Sequence, residues 1–223
     1  KVLFQTVKEY KDIEELFKRS NSIAYVNCPG RSYDFYKTLK ESINLKQPIQ
    51  MEIIGNNWGL GCNSIHFIDM FNFFTDEIIS EWQNNLDVGY KSSKREGYKE
   101  FFGNISGQTT NKSRLSITCY ENEEKTNYSI RISTPNQRII IEPIIGKAYI
   151  AEVNSNWNLK EINIEFPFQS QLTQKNAEQL FEKEVCDLTP FHLSSSLHIP
   201  FIETISNHYN QYQNKTTEIC PIT

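Results

Sequence analysis

GNNWGLGCNSIHFIDMF, Gly55 to Phe71, reads as a glycine-broken loop that opens into a mostly apolar helix. Glycine reaches backbone dihedrals closed to other residues, so Gly55, Gly59 and Gly61 mark the loop, and the apolar run from Ile65 to Phe71 marks the helix. The residues just before, Gln47 to Ile54, read as a buried strand. Strand, loop and helix in that order predict a chain of the α/β class, with His66 held on the first turns of the helix.

Upstream, Thr6 and Glu9 make a capping box, and Tyr10, Ile13, Leu16 and Phe17 then recur at helical spacing up to Ser20. Val2 to Gln5 reads as the end of one strand and Ile23 to Asn27 as the next, so the first 27 residues are expected to be a piece of βαβ architecture. The chain begins at Lys1 without a methionine, which fits a truncated natural sequence whose earlier βαβ units are missing. No G-x-G-x-x-G opens a strand-to-helix turn, so nothing is expected to cradle a dinucleotide pyrophosphate.

Downstream, Pro29 and Gly30 punctuate the chain, and Ser32 is expected to cap a helix carrying Tyr36, Leu39 and Ile43. Leu115, Ile117 and Cys119 alternate with polar neighbours, as do Tyr128, Ile130 and Ile132, and Ile162, Ile164 and Phe166. Period-2 runs of this kind predict strands covered on one face, in an open, largely antiparallel mixed sheet with helices on that face. Val88 to Ser113, rich in Gly, Ser, Lys and Asn, reads as a loop that could form a flap. Asn176 to Glu184 reads as a short helix, and Thr189-Pro190 as the cap and first-turn proline of a last helix ending near Tyr212.

Composition excludes several classes of function. The 223 residues carry a net charge of -4, with lysines scattered among acids, so there is no basic field for nucleic acid. The five cysteines, Cys28, Cys62, Cys119, Cys186 and Cys220, are an odd number at wide spacings without a C-x-x-C pair, which suits neither a disulfide framework nor a zinc knuckle and points to a reducing cytoplasm. No apolar run approaches the ~20 residues of a membrane span; Ile139 to Ile150 is broken by Glu142, Pro143 and Lys147.

The Gly55–Phe71 segment resembles the substrate domain of the Gfo/Idh/MocA family of NAD(P)-dependent oxidoreductases, and the resemblance covers nearly the whole chain. That family joins an N-terminal Rossmann domain to a C-terminal α/β domain, with an E-K-P motif at the join and D-x-G-x-H on a helix. Lys1 matches the E-K-P lysine, with Val2 in the proline's place, and His66 matches the helix histidine. NCPGRSYDFY around Arg31, FQSQLT from Phe168, CDLTPFHLS from Cys186 and the terminal CPIT are similar to a polysaccharide-biosynthesis branch. The departure is Cys62, which stands where the family has its aspartate, with Ser64 at its glycine.

The resemblance implies residues 1–27 as a Rossmann remnant and 28–223 as the substrate-binding and oligomerisation domain. It implies a sugar or sugar-nucleotide substrate, NAD or NADP in the intact enzyme, no cofactor and no turnover for this chain alone, and a homo-oligomer formed through the open sheet. His66 would be the catalytic acid/base, and Lys1 would bind the same substrate oxygen and approach the cofactor. At 100° per residue Cys62, His66 and Asp69 share a helix face, so Asp69 is expected to orient the imidazole. Asn63 would bind a substrate hydroxyl, Asn57 and Trp58 would offer an amide and a stacking face, and Arg31 would clamp a phosphate or carboxylate. His198, one turn after Ser194, resembles a family position for substrate contact.

The residues alone leave plainer readings open. A histidine between Ile65 and Phe67 is commonly a core group, Arg31 suits an ion pair, Trp58 suits a hydrophobic plug, and His198 suits a partly buried helix face. Cys62 and His66 at i, i+4 lack a third metal ligand, so no metal is expected. Phe71, Phe73 and Phe74 read as core packing. A different class of function also stays open: a noncatalytic carbohydrate-binding or assembly module, which Cys62 favours, or a binding domain using Trp58, Trp82 and Trp157.

Overall fold

The computed structural model describes residues 1–43, 47–213 and 216–223. Helix α1 (Val7–Ser20) leads to the short strand β1 (Tyr25–Val26), a 3-10 turn at Pro29–Ser32, helix α2 (Asp34–Ser42), strand β2 (Gln50–Asn56) and helix α3 (Leu60–Thr75). Strands β3 (Glu81–Leu86), β4 (Lys91–Ser92), β5 (Lys99–Glu100), β6 (Gly103–Gln108), β7 (Arg114–Tyr120), β8 (Asn127–Ser133), β9 (Gln137–Glu142), β10 (Lys147–Glu152) and β11 (Lys160–Asn163) follow. Helix α4 (Gln169–Lys183), strand β12 (Thr189–Pro190) and helix α5 (Phe191–Gln213) complete the order.

Eight strands form one sheet in the order β11-β10-β9-β8-β2-β7-β6-β3. Only β2 and β7 run parallel; the other neighbours are antiparallel, as the alternation predicts. The register lines up Ile105, Ile117, Ile53, Ile130, Ile141 and Ala148 across six strands, and each is at most 1 % exposed. A fully buried aliphatic side chain contributes roughly 1.5–3 kcal/mol, so this row is the spine of the core. Helix α3 lies against that face and is buried nearly all round, which explains why its sequence is apolar rather than striped. The opposite face carries Gln50, Glu52, Gln83, Ser106, Gln108, Arg114, Ser116, Arg131 and Ser133 along a shallow concave surface.

Two glycines set the path from β2 into α3. A Cβ on Gly55 would lie 2.0 Å from the Asn127 carbonyl oxygen, so only glycine lets β2 and β8 approach there. Gly59 sits at φ +81 just before α3, where a side chain is strained.

Several expectations are corrected. Val2 to Gln5 forms no strand. Strand β1 pairs antiparallel with β12, Tyr25 opposite Pro190 and Val26 opposite Thr189, so the first 27 residues contain no parallel βαβ pair. Helix α1 has the expected capping box, yet it packs on α5 and buries Tyr10 completely. Thr189 and Pro190 are strand residues rather than a helix cap, because β1 needs a partner for its backbone groups. Ser32 does not cap α2; its hydroxyl donates to Asn176 Oδ1 at 3.1 Å, and α4 starts at Gln169 so as to bury Leu172 and Asn176. Val88 to Ser113 is no flap: it contains β4, β5 and β6, the last paired on both sides by β3 and β7.

Asp69 ties these pieces together. It is 2 % exposed and accepts from Arg31 Nε at 2.9 Å and Nη2 at 3.1 Å, and from Thr189 Oγ1 at 2.5 Å. Arg31 also donates to Asn72 Oδ1 at 2.7 Å. One carboxylate thus joins the 3-10 turn, α3 and β12. Burial pushes the Asp69 carboxyl up, while Arg31 and then Thr189 pull it back without cancelling the shift. Removing the guanidinium strands a buried charge, which costs about 3–5 kcal/mol. The variant Arg31→Met is therefore expected to lose that much stability in urea unfolding at pH 7; a loss under about 1 kcal/mol, the range of exposed pairs, would contradict this role.

Candidate functional site

The loop after β2 and the first turns of α3 border a cavity of about 320 Å³. Its walls come from Tyr33 and Tyr36 at the start of α2, Asn63 and His66 on α3, Tyr128 on β8, and Phe166 after β11. Trp58, Phe67, Met70, Ile130 and Pro143 complete the apolar lining. The volume is at the small end of ligand sites, enough for one sugar ring and a small substituent.

His66 is half-buried, and its Nε2 lies 2.8 Å from the amino nitrogen of Lys1. The amino group donates, so Nε2 is an acceptor in this arrangement and the ring proton sits on Nδ1. That Nδ1 is enclosed and has no partner among the described residues. Burial, then the charge of the amino group and then His198, lower the imidazole to about 4, so the ring is neutral at pH 7 and its free nitrogen is a hydrogen-bond acceptor. The Lys1 amino group is itself lowered by burial. A substrate hydroxyl reaching Nε2 would meet this nitrogen at the same point.

Asn63 also lines the cavity, with its amide held by the Trp58 carbonyl at 2.5 Å. Trp58 is 5 % exposed; its indole N–H donates to the Thr118 carbonyl at 3.0 Å, and its ring packs on Phe67 and Tyr128 at 5.3 and 6.4 Å. It forms the base of the cavity more than a free stacking face.

The remaining candidates lie elsewhere. Arg31 is held by Asp69 and Asn72, with its guanidinium over the Phe73 ring, and it does not line the cavity. Asp69 turns to Arg31 and Thr189 rather than to His66, a correction to its expected orienting role. Asn57, at φ +50, clasps the following loop through the Asn122 and Glu124 carbonyls at 2.8 and 3.0 Å. His198 is fully buried; its Nδ1–H donates to the Ser194 carbonyl at 2.7 Å, its Nε2 has no partner among the described residues, and its ring packs 5.4 Å from Tyr10. Trp82 and Trp157 do not share the cavity with Trp58.

Sequence reasoning missed Glu100. Its carboxylate accepts from the Gly61 N–H and from the Phe101 N–H at 3.1 Å, while the Cys62 thiol beside it donates to the Gly59 carbonyl at 3.7 Å. Burial pushes this carboxyl up, and the same surroundings, burial first and Glu100 next, push the Cys62 thiol up and keep it protonated. A carboxylate thus stands beside Cys62, from a strand 38 positions on that the sequence offers only as loop. Tyr33, Tyr36, Tyr128 and Phe166 were also missed as site residues; NCPGRSYDFY contains the first two but draws attention to its arginine.

Glu100 also bears on a dinucleotide. G-L-G-C-N-S, Gly59 to Ser64, has two of the glycines of a phosphate turn between a strand and a helix. The Glu100 carboxylate already fills the anion position at that helix start, where N–H groups would otherwise meet a phosphate. The start of α1 is likewise filled by the Thr6–Glu9 box. Neither of these two helix starts leaves its N–H groups free for a pyrophosphate. Among the described residues no cluster of His, Cys, Asp or Glu suits a metal ion, and no helix is long and apolar enough to cross a membrane.

No protein-family model matches the chain, and no curated protein sequence matches it. Solved structures do. UDP-N-acetylglucosamine 3-dehydrogenase GnnA from Acidithiobacillus ferrooxidans superposes with a TM-score of 0.68 at 6 % identity, covering 89 % of this chain and 65 % of that one. The super-repressor mutant of Gal80p from Saccharomyces cerevisiae gives 0.66 at 13 % identity over 95 % and 68 %. A Gfo/Idh/MocA family oxidoreductase from Vibrio cholerae gives 0.62 at 13 % over 94 % and 69 %. This chain spans about two thirds of their lengths, and at these identities the likeness is one of fold: a mixed, mostly antiparallel open sheet with helices.

His198, like His66, is lowered to about 4, by burial first. The folded chain refuses protons that the unfolded chain binds near pH 6.5, so stability is full above that pH and falls as pH drops toward 4. At about 1.4 kcal/mol per pKa unit, His198 alone accounts for a loss on the order of 2 kcal/mol between pH 7 and 5. Urea unfolding of His198→Gln at both pH values is expected to show a smaller pH difference than the parent chain; an unchanged difference would contradict this assignment.

Proposed function

We propose that this chain is the substrate domain of a sugar or sugar-nucleotide oxidoreductase of the Gfo/Idh/MocA type, working in surface-polysaccharide biosynthesis. The observation that carries the reading is the placement of His66 and Asn63, from the first turns of α3, on the wall of an aromatic cavity of ring size. Residues 1–27 correspond in this reading to the end of the dinucleotide domain and 28–223 to the substrate domain. NAD or NADP is then held outside these residues, since the anion positions of α1 and α3 are filled from within the chain. The chain alone binds sugar without turnover.

In this reading the sugar enters between Tyr33 and Tyr128, and Asn63 binds a ring hydroxyl. The reacting hydroxyl donates to His66 Nε2, and the neutral imidazole is the group that takes its proton. Glu100 stands in for the carboxylate absent at position 62 by holding the start of α3 in place. The polar outer face of the sheet is where two copies would pair, and the Arg131–Glu52 ion pair at 3.4 Å lies on it.

A noncatalytic carbohydrate-binding or assembly module is the second reading. Cys62 at the aspartate position favours it, as does the same fold in a protein named as a repressor. Calorimetric titration of this chain with UDP-sugars, NAD and NADP tests both readings at once. A UDP-sugar is expected to bind, with Asn63→Leu weakening it by roughly tenfold, and neither dinucleotide is expected to bind. Absence of any sugar binding, or dinucleotide binding by the chain alone, would overturn the proposal. In a gene product that carries a dinucleotide domain, His66→Ala is expected to lower turnover by roughly 10²–10⁴ with binding retained; unchanged turnover selects the module.

A further inference from the structure

We infer that the sugar held in the cavity carries a long apolar chain on its glycosidic oxygen, so that the ligand is a glycolipid, and that Ile144, Ile145 and Phe168 hold this chain at the mouth. The inference rests on the reading of this cavity as the sugar site and adds what the sugar is joined to. Three observations carry it.

The first is size. A cavity of about 320 Å³ holds one ring and a small substituent. Whatever else a ligand carries must leave the cavity and cross its lip. The lip, not the lining, therefore reads the rest of the molecule.

The second is the chemistry of one lip. Pro143 lines the cavity and opens the tight turn between β9 and β10, in which the Gly146 N–H donates to the Pro143 carbonyl at 3.4 Å. The tip of this turn is Ile144 and Ile145, 54 % and 63 % exposed. The Ile164 N–H donates to the Gly146 carbonyl at 2.8 Å, which sets the turn beside the segment that runs through the lining residue Phe166 to Phe168, 80 % exposed. Local folding calls for polar residues at these places: Asn, Asp, Ser or Gly in a tight turn, and Ser, Thr, Asp or Asn at a helix N-cap, the position that Phe168 occupies without a side-chain cap. Three large apolar side chains stand there instead, and adjoining exposed apolar surface marks a place where something binds.

The third is direction. Phe166 packs against Tyr33 and Tyr36 at 4.9 and 5.4 Å, so the apolar lip continues the aromatic wall of the cavity. Beside Trp58 and Tyr128 the border is polar: Asn57 clasps the Asn122 and Glu124 carbonyls, and its own carbonyl accepts from the Thr126 hydroxyl. Apolar surface thus leads out of the cavity past Pro143 and Phe166 and not past Asn57. What covers it continues what fills the cavity, and a run of methylenes suits side chains that offer no donor or acceptor.

Calorimetry on this chain with UDP-N-acetylglucosamine and with the methyl, butyl and octyl glycosides of N-acetylglucosamine, each below its micelle concentration, keeps the sugar constant and varies what it is joined to. Each methylene laid against apolar surface raises affinity about twofold, so the octyl glycoside is expected to bind roughly 30-fold tighter than the methyl glycoside, with the butyl between them. The double variant Ile145→Ser, Phe168→Ser is expected to cut the octyl-to-methyl ratio to under about fivefold with thermal unfolding unchanged. Equal affinity along the series, or a ratio that survives the double variant, overturns the inference and leaves the sugar site standing. A flat series together with a dimer in sedimentation that the double variant abolishes assigns the lip to a second copy of the chain and overturns it as well. Failure of the UDP-sugar and of every glycoside to bind removes the sugar reading and this inference with it.

Discussion

The charge on Asp69 is the constraint on which the rest of the architecture depends. A carboxylate at 2 % exposure survives only if donors surround it, and its donors come from Arg31 in the 3-10 turn and Thr189 in β12. Satisfying it draws the segment before α2 against α3 and brings β12 back to β1. The 3-10 turn then presents Pro29, Gly30 and Tyr33 opposite the α3 face that carries Asn63 and His66. A cavity results, with aromatic walls that no single element could supply.

Chemistry at that cavity follows from desolvation. The imidazole of His66 is kept neutral by burial and meets the Lys1 nitrogen at its one free acceptor. The tyrosines remain neutral for the same reason. The charges of the region are paired behind the wall, Asp69 with Arg31 and Glu100 with the start of α3. The side chains that line the cavity are therefore polar without being charged.

What was legible in the sequence was what neighbours in the chain decide. The Thr6–Glu9 box specifies the start of α1 locally, and the alternation of Leu115, Ile117 and Cys119 specifies a one-sided strand. His66 falls on α3 because the glycines before it end β2. What was not legible depended on distant partners. β6 reads as loop because it holds Gly103 and Gly107, yet β3 and β7 enclose it, and a Cβ on Gly107 would meet Ile79 at 2.4 Å. Thr189-Pro190 has the composition of a cap, and only the presence of β1 makes it a strand. Asp69 shares a helical face with His66 by angle, but Arg31 lies on its side of the helix. Glu100 and Tyr128 reach the site through the sheet, and no spacing in the sequence announces them.

The most direct test of the sugar site is saturation-transfer NMR on this chain with UDP-N-acetylglucosamine, irradiating the aromatic protons. A sugar seated between Tyr33, Phe166 and Tyr128 predicts the strongest transfer to the N-acetyl methyl and pyranose protons, with the uracil protons weak. Transfer mainly to the uracil, or none to the sugar, would contradict the account.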